Sequence, residues 1–228
     1  MTKTEIINGT TINYQGNEYG VIPEVYFEDP YKIGEIKENS TAIDIGACIG
    51  VFSLRCAKER GCTVYAYEPY LESYKLATEN AKINGLEDKI KIFNKAVIGG
   101  IISGTNITKY FYIHLENFAG CTFYPGKGIL YEKVSVGCTT LTDIFKDNNL
   151  DKCDIVKIDC EGEEKNIIKD TDIDILKKID KIIIEYHLYV DGKEIMEYLR
   201  SVGFDVHFNP GKELPPVERS ILYATRTK

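Results

Sequence analysis

The chain has no excess of positive charge, no long apolar run, no paired-cysteine motif and no repeat, and each absence narrows what it can be. Lys and Arg total 28 against 35 Asp and Glu, a net charge of −7. A surface of that sign repels a polyanion, so duplex nucleic acid is not an expected partner. No stretch approaches the length needed to span a bilayer, and the start, Met1-Thr2-Lys3-Thr4-Glu5, has neither the basic opening nor the apolar run of a secretion signal. The expectation is a cytoplasmic protein without a membrane span. Seven cysteines (48, 56, 62, 121, 138, 153 and 160) are scattered with no C-x-x-C pair, which argues against both a disulfide framework and a zinc site and for buried free thiols.

What is present is enough apolar material for a large core: 43% of 228 residues, a size at which one domain is the default. From Thr41 onward, short β-branched and apolar runs alternate with longer helical stretches, the rhythm of parallel strands joined by crossover helices. Strands are expected at 41–45, 63–67, 90–94, 154–159, 181–187, 204–208 and 220–225. Helices are expected at 51–60, 71–84, 140–148, 162–169 and 193–202. Between Ala96 and Gly137 the rhythm breaks into alternating polar and apolar residues, read as an antiparallel insert over 105–115 and 131–137. The last two strands, separated by the polar 209–218, read as a terminal hairpin with a wide loop. Residues 1–39 are polar and aromatic without a clean period, and read as a cap across the sheet edge, with 40–228 as the main body of a single domain. The fold class is therefore α/β: a doubly wound, Rossmann-like, mostly parallel seven-stranded sheet with an antiparallel insert and a terminal hairpin.

Open α/β sheets bind ligands beyond the carboxyl ends of their strands. The first strand leaves through Asp44-Ile45-Gly46-Ala47-Cys48-Ile49-Gly50. Gly46 permits a tight turn, Gly50 lets the following helix pack closely, and the turn's N–H groups are expected to be available to a ligand. Asp44 would favour a cationic sulfonium or an amino group nearby. The second strand leaves through Tyr67-Glu68-Pro69, and an acid about 20 residues beyond the glycine turn suits the two hydroxyls of an adenosine ribose. Dinucleotide sites use G-x-G-x-x-G so that a pyrophosphate can approach the backbone; here Cys48 occupies the second glycine's place. D-x-G-x-x-x-G with Glu68 thus points to a phosphate-free adenosyl ligand, S-adenosylmethionine, over NAD. The plainer alternative is a strand-to-helix turn that binds nothing.

Several spaced motifs now agree in order. Ala42–Ser53, Tyr67-Glu68-Pro69, Leu76 with Asn80 and Asn84, Lys95-Ala96-Val97, Thr140-Leu141, Val156–Glu164 and Glu185-Tyr186-His187 together resemble the FkbM-type methyltransferases, from about Ser40 to His187. The resemblance implies a class I methyltransferase fold and, most often, methylation of a hydroxyl on a sugar, glycan or other natural-product-like small molecule. It implies cofactor contacts at Asp44, Gly46, Ala47, Cys48, Gly50, Glu68 and Pro69, with Ala96 near the adenine. Cys48 and Glu163 depart from residues more usual in such proteins.

A sugar hydroxyl needs a base to take its proton as the bond to carbon forms. Strands four and five end in Asp159 and in Glu185 and His187, expected to share one cleft, with His187 as proton acceptor and Asp159 as its orienting partner or as the base itself. Two alternatives compete: acids that simply cap the helix expected at Gly162, and a divalent metal held by two carboxylates and an imidazole. His114 and His207 are expected to be packing or surface residues. The insert's aromatics Tyr110, Phe111, Tyr112, Phe118, Phe123, Tyr124 and Tyr131 are either core or acceptor pocket. Two other functions stay open: RNA or protein methylation on the same fold, disfavoured by acidity and by the lack of an N-P-P-Y-like run, and a silent adenosyl-binding module.

Overall fold

The computed structural model describes residues 1–100, 107–186, 192–208 and 220–227. Seven strands form the central sheet: β3 (Thr41–Ile45), β4 (Thr63–Tyr67), β5 (Ile90–Phe93), β9 (Cys153–Ile158), β10 (Ile179–Tyr186), β11 (Phe204–Phe208) and β12 (Ser220–Arg226). Their spatial order is β11-β12-β10-β9-β3-β4-β5. Strands β10, β9, β3, β4 and β5 pair in parallel, whereas β12 runs antiparallel to both its neighbours. The terminal pair is a hairpin as expected, but its last strand wedges between β10 and β11 instead of extending the edge.

Helices cover both faces, so the strands are near-continuous apolar runs and their alternation divides the core in two. Ile43, Ile45, Val156, Ile158, Ile182 and Ile184 pack with helices Leu141–Asp147, Glu164–Asp170 and Gly192–Ser201. Ala42, Val64, Ile155 and Ile183 face helices Val51–Arg60 and Leu71–Ile83. Each fully buried Val or Ile among them contributes roughly 1.5–3 kcal/mol. Thr140 starts its helix by accepting a hydrogen bond from Asp143 N at 3.1 Å.

The N-terminal segment is not featureless. Asn8 and Gly9 both have positive φ (49° and 73°), closing a two-residue hairpin between β1 (Lys3–Ile7) and β2 (Thr10–Tyr14). Its free edge is matched by side chains: Asn80 accepts from Asn13 N at 2.7 Å and donates to Asn13 O at 2.9 Å. Asn84 repeats this one helical turn on, with Thr11 N at 3.0 Å and Thr11 O at 2.7 Å. Two amides at i and i+4 thus stand in for a partner strand. Ile12, Ile22, Val25, Ile33 and Ile36 join the core around the first two helices. The segment therefore lies over a helical face and the strand ends, not along the sheet edge.

The insert forms a second sheet in which β6 (Ala96–Val97) pairs in parallel with β8 (Tyr131–Thr139), and β7 (Thr108–His114) pairs antiparallel with β8. It is thus mixed, not wholly antiparallel; residues 101–106, which include the expected start of its first strand, lie outside the described residues.

Candidate active site

One cavity opens at the carboxyl ends of β3, β4, β9 and β10. The N-terminal segment supplies Asn17, Val21, Glu24 and Tyr31 to its wall, and the insert supplies Phe111, Phe118, Cys121 and Phe123. Of the insert's seven aromatics weighed from sequence, these three line the cavity, while Tyr110 is exposed. The two roofing segments touch: Asn17 donates its amide to Glu116 O, and a Cβ on Gly16 would stand 3.5 Å from the Phe118 ring.

The glycine turn differs in detail from its sequence reading. Gly46 N and Ala47 N both donate to Tyr67 O, at 3.0 and 3.1 Å, and Gly50 N donates to Ala47 O at 2.8 Å. Cys48, held at a φ of +50°, donates its N–H to Glu68 Oε2 at 2.8 Å. The Gly46, Ala47 and Cys48 donors are engaged in joining β3 to β4, so these three N–H groups do not form a nest open to a pyrophosphate. The role of Gly46 is spatial as well: a Cβ there would stand 1.7 Å from the Asp159 carbonyl oxygen.

Glu68 lies in the wall, only 7% exposed. Its second oxygen accepts Tyr70 N at 2.8 Å, leaving a lone pair on each oxygen for hydroxyl donors. Burial pushes its carboxyl up to about 8; the Tyr70 and Cys48 N–H groups and Lys157 pull the other way without prevailing. Pro69, Ala96, Ala47 and Cys48 line the same cavity. Asp44 and Gly50 do not. Gly50 packs against Ala77, 3.2 Å from where its Cβ would be. Asp44 is fully buried behind the wall, accepting Ser53 Oγ at 2.7 Å and paired with Lys157 Nζ at 3.2 Å.

Lys157 is the residue the sequence reading passed over. Its ammonium donates to Gly46 O at 2.7 Å and lies 3.5 Å from Asp159 Oδ2. Burial alone would favour its neutral form, but Asp44, Asp159 and Glu185 hold its pKa above the usual lysine value. Strand alternation places Lys157 and Asp159 on one side, a signal that could have marked it.

Asp159 and Glu185 converge as expected, through a third group: Tyr31 Oη stands 3.1 Å from Asp159 Oδ2 and 3.2 Å from Glu185 Oε2. His187 lies outside the described residues. Asp159 is not a helix cap. Glu161 and Gly162 have φ of +57° and +122°, so the helix starts at Glu164, whose carboxylate accepts Gly162 N at 3.1 Å and Cys160 N at 3.3 Å. Among the described residues, no group of three or more His, Cys, Asp or Glu could hold a metal ion. His114 accepts two loop N–H groups, and His207 stacks on Tyr223, so both serve packing.

The comparisons with known proteins meet this geometry. Residues 44–206 match the family model described as the methyltransferase FkbM domain. The chain belongs to the FkbM methyltransferase family. It is similar to the methyltransferase sdnD of Sordaria araneosa, with 24% identity over 90% of this chain and 89% of that protein. A shorter stretch, 30% of this chain and 18% of the relative, is 38% identical to a tRNA (guanine(37)-N(1))-methyltransferase of Trichomonas vaginalis. Among solved structures, M. jannaschii TYW2 in complex with AdoMet shares the fold, with a TM-score of 0.53, 17% identity, and coverage of 99% of this chain and 87% of that one. As an FkbM methyltransferase the protein is an S-adenosylmethionine-dependent enzyme, and the residues fit that ligand. Glu68 has acceptor capacity for ribose hydroxyls, Ala96, Val97 and Pro69 offer apolar wall, and the engaged turn suits an adenosyl group without phosphate.

Proposed function

We propose that this enzyme methylates a hydroxyl oxygen of a sugar, glycan or other natural-product-like small molecule, in a soluble cytoplasmic setting. The observation that carries the reading is the Asp159 carboxylate, at the cavity wall and held from behind by Lys157 and Tyr31. A bound S-adenosylmethionine supplies an electrophilic methyl on a sulfonium. The chain's part is to hold the acceptor in line, to keep water out under the N-terminal segment and the insert, and to take the hydroxyl proton at Asp159. Glu68, Pro69, Ala96 and the turn Gly46–Cys48 would hold the cofactor; Asp44 would act through Lys157, since it does not reach the cavity.

The tRNA relatives favour a second reading, methylation of RNA. The lining weighs against it: Glu24, Glu68, Asp159, Glu161 and Glu185 are acidic, and among the described lining residues Lys157 alone is cationic. That lysine is already paired with Asp44, so a phosphate backbone would find little attraction. The test is to incubate the protein with isotopically labelled S-adenosylmethionine and, separately, hydroxylated small-molecule and glycan extracts or tRNA, and to locate the label by mass spectrometry. Label on a hydroxyl of a small molecule or glycan is the expected result; label on tRNA alone would overturn the reading.

A further inference from the structure

The acid pair is completed from a distant part of the chain. Tyr31 belongs to the N-terminal segment, 128 residues before Asp159, yet its hydroxyl stands between the two carboxylates. Its presentation is built with care. Arg55 pairs with Asp29 at 2.8 Å, Asp29 accepts Ile33 N at 3.0 Å, and Tyr223 Oη donates to Pro30 O at 2.5 Å, so both sides of Tyr31 are tied down. The ring is 3% exposed and meets Phe52 edge-on at 5.4 Å.

One phenol carries one proton, and it can make a full-strength hydrogen bond to only one of the two carboxylates at a time. If both acids were ionised, a lone pair of the phenol oxygen would face a carboxylate oxygen with no proton between them. The arrangement is comfortable when the three groups share two protons: one acid then donates to the phenol while the phenol donates to the other. The phenol itself keeps its proton, because burial and the charges of Asp159, Glu185 and Glu24 raise its pKa well above the ordinary value. Lys157, 5.5 Å from the ring centroid, is the cation facing the group.

We propose that Tyr31 is a positioning residue for methyl transfer, whose hydroxyl holds the Asp159 carboxylate at the cavity and links its protonation to that of Glu185. This rests on the reading of Asp159 as the base. The acceptor's O–H bond breaks as its oxygen bonds to the methyl carbon, the electron pair of the old carbon–sulfur bond stays on sulfur, and the proton goes to Asp159. Before the step both acids are ionised and the phenol donates to Asp159; the proton that arrives on Asp159 is the second of the shared pair, so the Tyr31 hydroxyl turns to donate to Glu185 and its oxygen accepts from protonated Asp159.

The test uses the free protein and needs no acceptor, so it can fail or succeed independently of the proposed substrate. Carbon-13 NMR of protein labelled at aspartate carboxyls follows Asp159, assigned by its loss in D159N. E185Q should lower the Asp159 midpoint by at least one pH unit where Tyr31 is present, because the phenol then donates to Asp159 undivided. In Y31F, where only the direct repulsion between the two carboxylates remains, the same substitution should move it by at least half a unit less. Calorimetry should show that Y31F binds S-adenosylhomocysteine within about threefold of wild type, since the ring is kept. Once an acceptor is in hand, Y31F should lower kcat at least tenfold with little change in KM. Equal shifts on E185Q in the two backgrounds, or no shift with Tyr31 intact, would overturn the proposal.

Discussion

Cofactor binding should expel a proton. In the free protein Glu68 is buried and its midpoint lies at about 8 against an ordinary 4.5, so at neutral pH it is mostly protonated. Ribose hydroxyls donate best to a carboxylate, and a hydrogen bond to a charged group contributes about 1.5–3 kcal/mol. Two of them supply roughly 3–6 kcal/mol, whereas bringing the midpoint from about 8 to about 6 requires roughly 2.7 kcal/mol, at 1.36 kcal/mol per unit. The affinity for S-adenosylhomocysteine should therefore rise with pH, approaching tenfold per unit between about 6 and 8 and levelling off above that. Calorimetry at pH 7 in two buffers of different ionisation enthalpy should show close to one proton released. The E68Q variant, which cannot ionise, should bind one to two orders of magnitude more weakly at pH 8, without this pH dependence. Affinity independent of pH in the wild type with no proton release, or full affinity in E68Q, would show that Glu68 does not ionise to hold the ribose.

The same carboxyl shapes the stability of the free protein. The unfolded chain ionises Glu68 near 4.5 and the folded one near 8, so its contribution favours folding fully below pH 4.5 and is lost as pH rises to about 8. Denaturant midpoints of the wild type should fall across that window relative to E68Q. Asn80→Ala removes a fully buried amide serving Asn13 N, Asn13 O and Ile49 O, and should cost about 3 kcal/mol and lower Tm by about 6–12 °C; a loss below about 1 kcal/mol would show that the hairpin docks by apolar contact alone. Asp159→Asn keeps the shape but cannot take a proton, so turnover should fall by about 10²–10⁴ while cofactor affinity stays within a fewfold. Unchanged turnover would remove Asp159 as the base.

Much of the sheet could be read from the sequence because buried parallel strands announce themselves: Thr41–Ile45 and Cys153–Ile158 are short apolar runs bounded by polar or glycine-rich turns. The place of Glu68 in the cavity wall was legible for a similar reason, since its spacing from Gly46 follows from two adjacent strands. The opening hairpin was missed although Asn8-Gly9 is a strong turn signal; its strands are short and their outer edge is satisfied by amides 67 and 73 residues away, which no local pattern reveals. Asp44 was placed at the ligand because a strand-end acid in an open sheet faces the crevice, yet the buried Lys157 turns it inward. Tyr31 left no trace at all, because its meaning depends on a fold that brings residue 31 against residues 159 and 185.

The most direct measurement is a crystal structure of the protein with S-adenosylhomocysteine. The adenosyl group should lie in the cleft between the Gly46–Cys48 turn and Ala96, with both ribose hydroxyls within hydrogen-bond reach of Glu68 and the sulfur on the side of Asp159 and Tyr31. A nucleoside bound elsewhere, or one in the cleft whose ribose leaves Glu68 untouched, would contradict that placement.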